Sequence, residues 1–274
     1  MEFYKNLFSL LKVLKGIAVS QFHILERKIR SFEAFYSKVE NFLEEIDTTT
    51  ITHPFVTPQS NVQGIITITS DSGLLGGLNM QVMRSAFGQL TSKRDVLMIV
   101  GERGKIYAQE ARIPFVGFPS VREEQRMRLA LTVRDYIFER VLKKEIGIVK
   151  IIYPKAFSLM VQKIAEFPLL PYGKRDRAES THLINFEEYI RESSIGDIVE
   201  YLVYLWMGHK MFDILQQAKL AELGARFVHL EESSQKLEDL NKELRLKYLR
   251  IRHELTDRSM RELFAARLIY GHTR

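Results

Sequence analysis

The segment Ile66–Phe87, ITITSDSGLLGGLNMQVMRSAF, decides how the middle of the chain is expected to fold. It runs from β-branched residues through Gly73, Gly76 and Gly77 into helix-forming residues, which predicts a strand, a turn and a helix. A phosphate-binding P-loop requires Lys and Ser/Thr after its last glycine, and Leu78 follows here. The G-x-G-x-x-G spacing of dinucleotide sites is missing as well. The three glycines are therefore interpreted as a structural turn that also lets a helix approach the sheet closely.

Short apolar segments alternate with helical segments on both sides of this turn. Strands are predicted at 64–70, 95–100, 114–118 and 147–153, and helices at about 79–92, 102–111 and 121–144. A strand end and an exposed loop are expected at 167–180, which contains Pro168, Pro171 and Gly173. This alternation predicts an α/β fold, a Rossmann-like domain with a mainly parallel sheet, assigned to residues 51–192.

Apolar residues recur every seven positions near both ends of the chain. The N-terminal row is Leu11, Ala18, Leu25, Phe32 and Val39, and the C-terminal row is Leu223, Leu230, Leu237, Leu244 and Ile251. Such rows form the seam along which one helix packs on another. The sequence predicts two long terminal helices, 1–50 and 193–274, which form an antiparallel coiled coil with the α/β domain inserted between them. A chain of this design is suited to holding partners or transmitting force.

Composition narrows the class of partner. The chain has no cysteine, which excludes disulfides and thiolate metal sites. Its net charge is +6, and residues 242–274 hold nine Lys/Arg against four Asp/Glu, which suits an acidic partner surface. Aromatic residues that stack on bases are few in that segment, so no nucleic acid is expected. Lys12 and Lys15 interrupt the apolar N-terminal run, so neither a membrane-spanning segment nor a signal peptide is expected.

The sequence offers little for catalysis. His209, His229 and His253 lie far apart without metal-ligand spacing, and no G-x-S-x-G nucleophile motif occurs. No pair of acidic residues stands out from the solvated helix faces. We therefore expect no catalytic residue, no cofactor and no metal site in this chain.

Four segments, in order along the chain, resemble the gamma subunit of F-type ATP synthases. The turn SDSGLLGGLN (70–79) is similar to the family's SDRGLCGGLN, with Ser72 in place of Arg and Leu75 in place of Cys. GERGKIYAQEARIPFV (101–116) resembles the segment after the family's second strand, and 151–171 resembles its LVYNEFKSAISQ…LLP pattern. The segment 221–265 resembles the family's C-terminal region without a gap. The resemblance covers nearly the whole chain.

This resemblance implies a role as a central rotor shaft. In the family, the terminal helices form an axle inside a hexamer of alpha and beta subunits. A membrane c-ring turns the axle, and rotation changes the nucleotide sites of the beta subunits; an epsilon-type subunit is a further implied partner. The chain is then expected to be a peripheral protein on the cytoplasmic face of a membrane, the bacterial inner membrane, without inserting into it. Whether protons or sodium ions drive the ring stays open.

The resemblance also implies contact residues. A beta-subunit contact is assigned to Arg252, His253, Thr256 and Asp257, and a ring-facing foot to Trp206, Met207, Gly208, His209 and Lys210. Gly16, Gly208 and Arg258 depart from the family pattern. These departures leave open a static coiled-coil scaffold or adaptor with the same fold, and the glycine turn leaves open a nucleotide-binding enzyme.

Overall fold

The computed structural model describes residues 2–45, 53–119, 125–173 and 193–271, and these contain five helices and five strands. Their bounds are α1 Glu2–Glu45, β1 Gln63–Ile68, α2 Leu78–Gln89, β2 Val96–Val100, α3 Glu102–Glu110, β3 Phe115–Phe118, α4 Arg126–Leu142, β4 Ile148–Ala156, β5 Gln162–Leu170 and α5 Ile195–Gly271. The predicted strands and helices of the middle zone are all present, with ends shifted by a few residues. The predicted domain boundary at 50/51 lies outside the described residues.

The five strands form one sheet in the order β3-β2-β1-β4-β5. Strands β1 to β4 pair in parallel, which confirms the predicted mainly parallel α/β fold. Strand β5 pairs antiparallel with β4, with Pro168 opposite Lys150. The sequence analysis expected only a strand end here, because β5 is an edge strand of mixed polarity. Proline is tolerated at an edge, where one side of the backbone makes no ladder bonds.

Alternate side chains of the strands enter two separate apolar layers. Ile66, Met98 and Ile151 pack with α4 and with the part of α5 from Val199 to Ala218. Ile65, Leu97 and Ile152 point to the other face and pack with α2 and α3. Because both faces are covered, the strands are continuous Ile/Val runs without polar alternation.

The described chain divides into two compact units, Met1–Gly16 with Leu230–Arg274, and Ile17–His229. In the second unit, Phe22 and Leu25 of α1 pack on Leu223 of α5. In the first unit, Lys15 forms an ion pair with Glu231. Within the second unit, Glu40 contacts Lys210, whereas Leu25 meets Leu223, so α1 and α5 run antiparallel, as predicted. The side chains of Phe32 and Val39, members of the predicted N-terminal row, lie outside the described set.

The α1 segment Asn6–Ile29 is long and apolar enough, by length and composition, to cross a membrane. The sequence analysis expected no membrane-spanning segment, because Lys12 and Lys15 interrupt this run. A segment can reach this hydropathy although it contains two charged residues, and a helix that packs on protein meets the same criterion.

Candidate partner-binding surfaces

The glycine turn joins the end of β1 to the start of α2. Gly76 has a φ of +58°, the left-handed conformation that glycine adopts without strain. Asn79 fixes both sides of the turn, because its Oδ1 accepts a hydrogen bond from the Ser70 amide at 3.0 Å and its Nδ2 donates to Ser70 Oγ at 2.8 Å. Leu75 is buried against Leu78 and against Ala225 of α5.

The close approach between helix and sheet occurs at another pair of glycines, which the sequence analysis did not single out. Gly101 precedes α3 with a φ of +98°, and a Cβ there would lie 2.2 Å from the Thr69 carbonyl oxygen. A Cβ at Gly104 would lie 2.6 Å from Thr69 Oγ1, which accepts a hydrogen bond from the Gly104 amide at 3.0 Å. Asp71 Oδ1 accepts from the Glu102 amide at 3.0 Å. The turn and the N-terminus of α3 therefore form one joint.

Polar contacts also tie the turn to α5. Arg226 donates to Ser72 Oγ at 2.6 Å and to Glu222 Oε1 at 2.6 Å, and Lys219 donates to the same carboxylate oxygen at 2.8 Å. Glu222 is buried, with 8% of its surface exposed. Ser72 lies where the resembling family has Arg. The short serine side chain leaves room for the guanidinium of Arg226, which donates to its hydroxyl. Neither Arg226 nor Glu222 could be found from spacing alone, since both resemble solvated positions of a charged helix.

A small crevice lies at the carboxyl ends of β1 and β4. In open α/β sheets, ligands bind at this point, where the strand order reverses. Here the crevice is lined on one side by Leu215, Ala218, Lys219 and Glu222 of α5, and its volume is about 30 Å³. That volume suits roughly one water molecule. A nucleotide does not fit, which supports the interpretation of the glycines as a structural turn.

The segment predicted as a ring-facing foot lies on α5 and is largely engaged inside its own unit. Trp206 and Met207 are 5% and 1% exposed. The Trp206 indole donates to Glu40 Oε1 at 3.1 Å, and Lys210 Nζ lies 3.2 Å from the same oxygen. A Cβ at Gly208 would lie 3.0 Å from an Arg134 guanidinium nitrogen, so glycine gives α4 the room to pack there.

His209 is one of two half-buried residues of that segment, with Lys210. Burial, and secondly the positive charge of Arg134, hold the pKa of His209 below its ordinary value. Both causes disfavour the protonated ring, so His209 is neutral in the folded chain near pH 7. The other three residues of the segment, Trp206, Met207 and Gly208, are buried.

The four residues predicted to contact a beta subunit lie together on α5. Arg252, His253, Thr256 and Asp257 are all exposed, and their spacing of one, four and five residues places them on one side of the helix. Thr256 Oγ1 donates to the Arg252 carbonyl oxygen at 2.9 Å. Arg258, which departs from the resembling family in charge, pairs with Glu262 at 3.0 Å one turn further on.

The predicted seam of α5 is buried only in part. Leu230 and Leu237 are 1% and 8% exposed, whereas Leu244 and Ile251 are 40% and 56% exposed. Other large apolar side chains on the same stretch are exposed as well, namely Leu240, Leu246, Tyr248, Leu255, Met260, Leu263 and Phe264. In the described part of the chain, nothing buries this apolar surface.

Comparisons with known proteins agree along nearly the whole chain. A family model described as ATP synthase matches residues 1–265. The ATP synthase gamma chain of Clostridium pasteurianum is 24% identical over 264 residues, covering 94% of this chain and 92% of that protein. The ATP synthase gamma chain of Neisseria meningitidis serogroup C (strain 053442) is 24% identical over 272 residues, covering 95% and 94%.

Solved structures of similar fold include chains from two mitochondrial complexes. One is the rotor of the Euglena gracilis ATP synthase, with a TM-score of 0.67 and 17% identity, over 93% of this chain and 95% of the other. A second is the central stalk and c-ring structure from Tetrahymena thermophila, with a TM-score of 0.60 and 18% identity, over 82% and 99%.

Proposed function

Because this chain belongs to the ATP synthase family, we propose that it is the gamma subunit, the central rotor shaft, of an F-type rotary ATP synthase. In that role it couples rotation of the membrane c-ring to conformational change at the catalytic sites of the beta subunits. Its partners are the alpha and beta subunits of the catalytic hexamer and the c-ring. It is peripheral to the membrane, as part of the portion of the complex that carries the hexamer.

One observation carries this function: the seam of α5 continues as an apolar surface beyond its last buried residue. Leu237 is buried, and one repeat later Leu244 is 40% exposed, although the sequence pattern does not change between them. Large exposed apolar surfaces mark interaction sites. A sleeve of partner subunits around this part of α5 supplies the missing cover, which is the arrangement that a shaft inside a hexamer requires.

Arg252, His253, Thr256 and Asp257 are the proposed contact with a beta subunit. Their common side of α5 and their exposure to solvent support this assignment. The excess of cations in residues 242–274 favours an acidic loop as the surface they meet. Neighbouring Arg258 adds little to that charge, because Glu262 pairs with it.

The ring-facing foot stays a prediction. Within residues 206–210, His209 and Lys210 are the two that a ring could touch, while Trp206 and Met207 support them from the core. An epsilon-type partner and a place on the cytoplasmic face of a bacterial inner membrane belong to the same proposal. The bacterial gamma chains among the relatives support that location. The static scaffold is not favoured, since these relatives match along the same length as gamma chains.

Cross-linking in the assembled complex tests the rotor role. The chain has no cysteine, so a single Arg252→Cys variant can be joined to a cysteine in the beta-subunit loop it faces. We expect the chain to co-purify with alpha and beta subunits, and we expect disulfide formation to stop ATP turnover. Reduction of the same sample is the matched control and should restore turnover. Unchanged turnover in the oxidised sample would show a static scaffold, and failure to co-purify would refute the assignment to the complex.

A further inference from the structure

An open groove lies between α4 and the first turns of α5, within the unit Ile17–His229. It has a volume of about 330 Å³ and is lined by Asp135, Phe138, Asp197, Glu200, Tyr201 and Tyr204. Three of these residues are acidic and three are aromatic, and none of the described lining residues is Lys or Arg. The whole chain carries +6, so this groove has the opposite sign to the chain as a whole.

One wall of the groove already shows how it holds a cation. The Arg134 guanidinium carbon lies 3.7 Å from the centre of the Tyr204 ring. The same guanidinium donates twice to Asp135 Oδ1, at 2.9 and 2.8 Å, and once to the Tyr204 hydroxyl at 2.6 Å. Stacking on a ring combined with a two-pronged bond to a carboxylate is the arrangement that best fits arginine.

The open side of the groove presents the same types of group, an aromatic ring and carboxylates, to solvent. Tyr201 is 63% exposed, which leaves a ring face available to a second cation. The side chains of Asp135 and Glu200 are 56% and 36% exposed although each has an internal partner, Arg134 and His53. The internal donors to Asp135, two from Arg134 and one from Tyr204, all bond to Oδ1. His53 contacts only Oε2 of Glu200. The second oxygen of each carboxylate therefore has capacity for another donor. Asp197, in the first turn of α5, adds a third negative charge.

From this geometry we propose that the groove binds an arginine or lysine side chain of a neighbouring subunit in the complex. The inserted cation lies against the Tyr201 ring and is held by Asp197, Glu200 and the second oxygen, Oδ2, of Asp135. Charge complementarity selects a basic segment, and the exposed ring favours arginine over lysine. This inference rests on the proposed function, because the occupant is a subunit of the same assembly.

Site-specific cross-linking tests the groove. Glu139→Cys, carrying a short photoactivatable cross-linker, is placed in the assembled complex, and the linked peptides are identified by mass spectrometry. Glu139 is exposed on α4 one turn after Asp135, so this change leaves the lining of the groove intact. The expected product joins position 139 to a segment of one neighbouring subunit within a few residues of an Arg or Lys. Adding Asp197→Asn and Glu200→Gln, which keep shape and remove charge, should lower the yield about fivefold or more, as loss of a close charge pair implies. Glu110→Cys, exposed on α3, is the control for random labelling.

The possible results distinguish failure of the groove proposal from failure of the proposed shaft function. A complex that assembles and turns over, but gives no cross-link from position 139 above the Glu110→Cys control, refutes the groove and leaves the shaft role intact. A cross-link only to the same chain, or one whose yield ignores the two charge-removing changes, also refutes it. A chain that does not co-purify with alpha and beta subunits overturns both proposals. Far-ultraviolet circular dichroism of the variants checks that the fold is kept.

Discussion

Leu237→Ala and Leu244→Ala are a matched pair of substitutions in the seam of α5. They distinguish apolar surface that the chain buries by itself from apolar surface that a partner has to bury. Both residues occupy the same heptad row of α5, one repeat apart. Leu237 is 8% exposed, so its truncation removes buried methyl groups and leaves a cavity, at a cost of about 2–3 kcal/mol. Leu244 is 40% exposed, so water fills the space and the loss is below about 1 kcal/mol. The difference, roughly 1.5 kcal/mol, is about tenfold in an equilibrium constant.

Urea unfolding of the isolated full-length chain, followed by circular dichroism of its helices, measures this difference. The order should reverse in the assembled complex, because the remaining exposed surface of Leu244 is then buried by the partner. There, Leu244→Ala should weaken retention of the chain on the alpha and beta hexamer, measured by dissociation rate. Equal destabilisation of the isolated chain by both changes would show that Leu244 is already covered internally. Unchanged retention of Leu244→Ala on the hexamer would show that no sleeve buries it, and the inference from the seam would fail.

Three further predictions concern the joint, the loop before β2 and the shaft. Gly101→Ala should lower the free energy of unfolding by about 2–4 kcal/mol, because a Cβ meets the Thr69 carbonyl at a positive φ. The control Gly88→Ala, with no atom within 4 Å in α2, should change it by at most about 1 kcal/mol and in the stabilising direction. Burial alone would raise the pKa of Asp95, but hydrogen bonds from the amides of Ser92, Gln63 and Thr91 outweigh it and hold that pKa below its ordinary value. The ionised Asp95 carboxylate therefore stabilises the fold above about pH 4, and this contribution is lost as the pH falls through the folded-state pKa. The free energies of unfolding of Asp95→Asn and of the parent chain should converge at low pH. Parallel curves of stability against pH would contradict this. The double variant Arg252→Ala and His253→Ala should reduce coupled ATP turnover in the complex. The free energy of unfolding of the isolated chain should change by no more than about 0.5 kcal/mol, because both side chains are exposed. The matched control is Lys93→Ala with Arg94→Ala, which removes two exposed cations before β2.

The sequence predicted the elements whose signal is local. Runs of Ile and Val marked β1, β2 and β4, because a strand covered on both faces has no polar positions. Strand β5 was missed as a whole strand, since Gln162, Lys163 and Glu166 belong to an edge where one side meets water. Proline in the same strand pointed away from a sheet, and an edge strand is one of the few places that permit it.

The candidate surfaces were predictable to different degrees. The quartet around Arg252 was assigned from the family resemblance, and its position on one side of α5 follows from helical spacing, which is a property of that helix alone. Burial of Trp206 and Met207 depends on which face of α5 meets α4 and the sheet, and a long helix with apolar residues on several faces does not reveal that. Gly101 is similar, because its need for glycine arises from Thr69, a residue more than thirty positions earlier in the chain. Long-range contacts of this kind leave no periodic trace in sequence.

The cover that α5 places over the crevice beside β1 has an evolutionary consequence. A Rossmann-like sheet could acquire a cofactor at its strand ends by a few loop substitutions, and many descendants of such folds differ in this way. In this chain the space is filled by Leu215, Ala218 and the ion pairs of Glu222, on the same helix that continues as the shaft. Any lineage that opened the crevice to a small molecule would first have to release that helix. While α5 keeps this position, the strand ends are closed to a small-molecule ligand, and new binding functions have to use the outer surfaces.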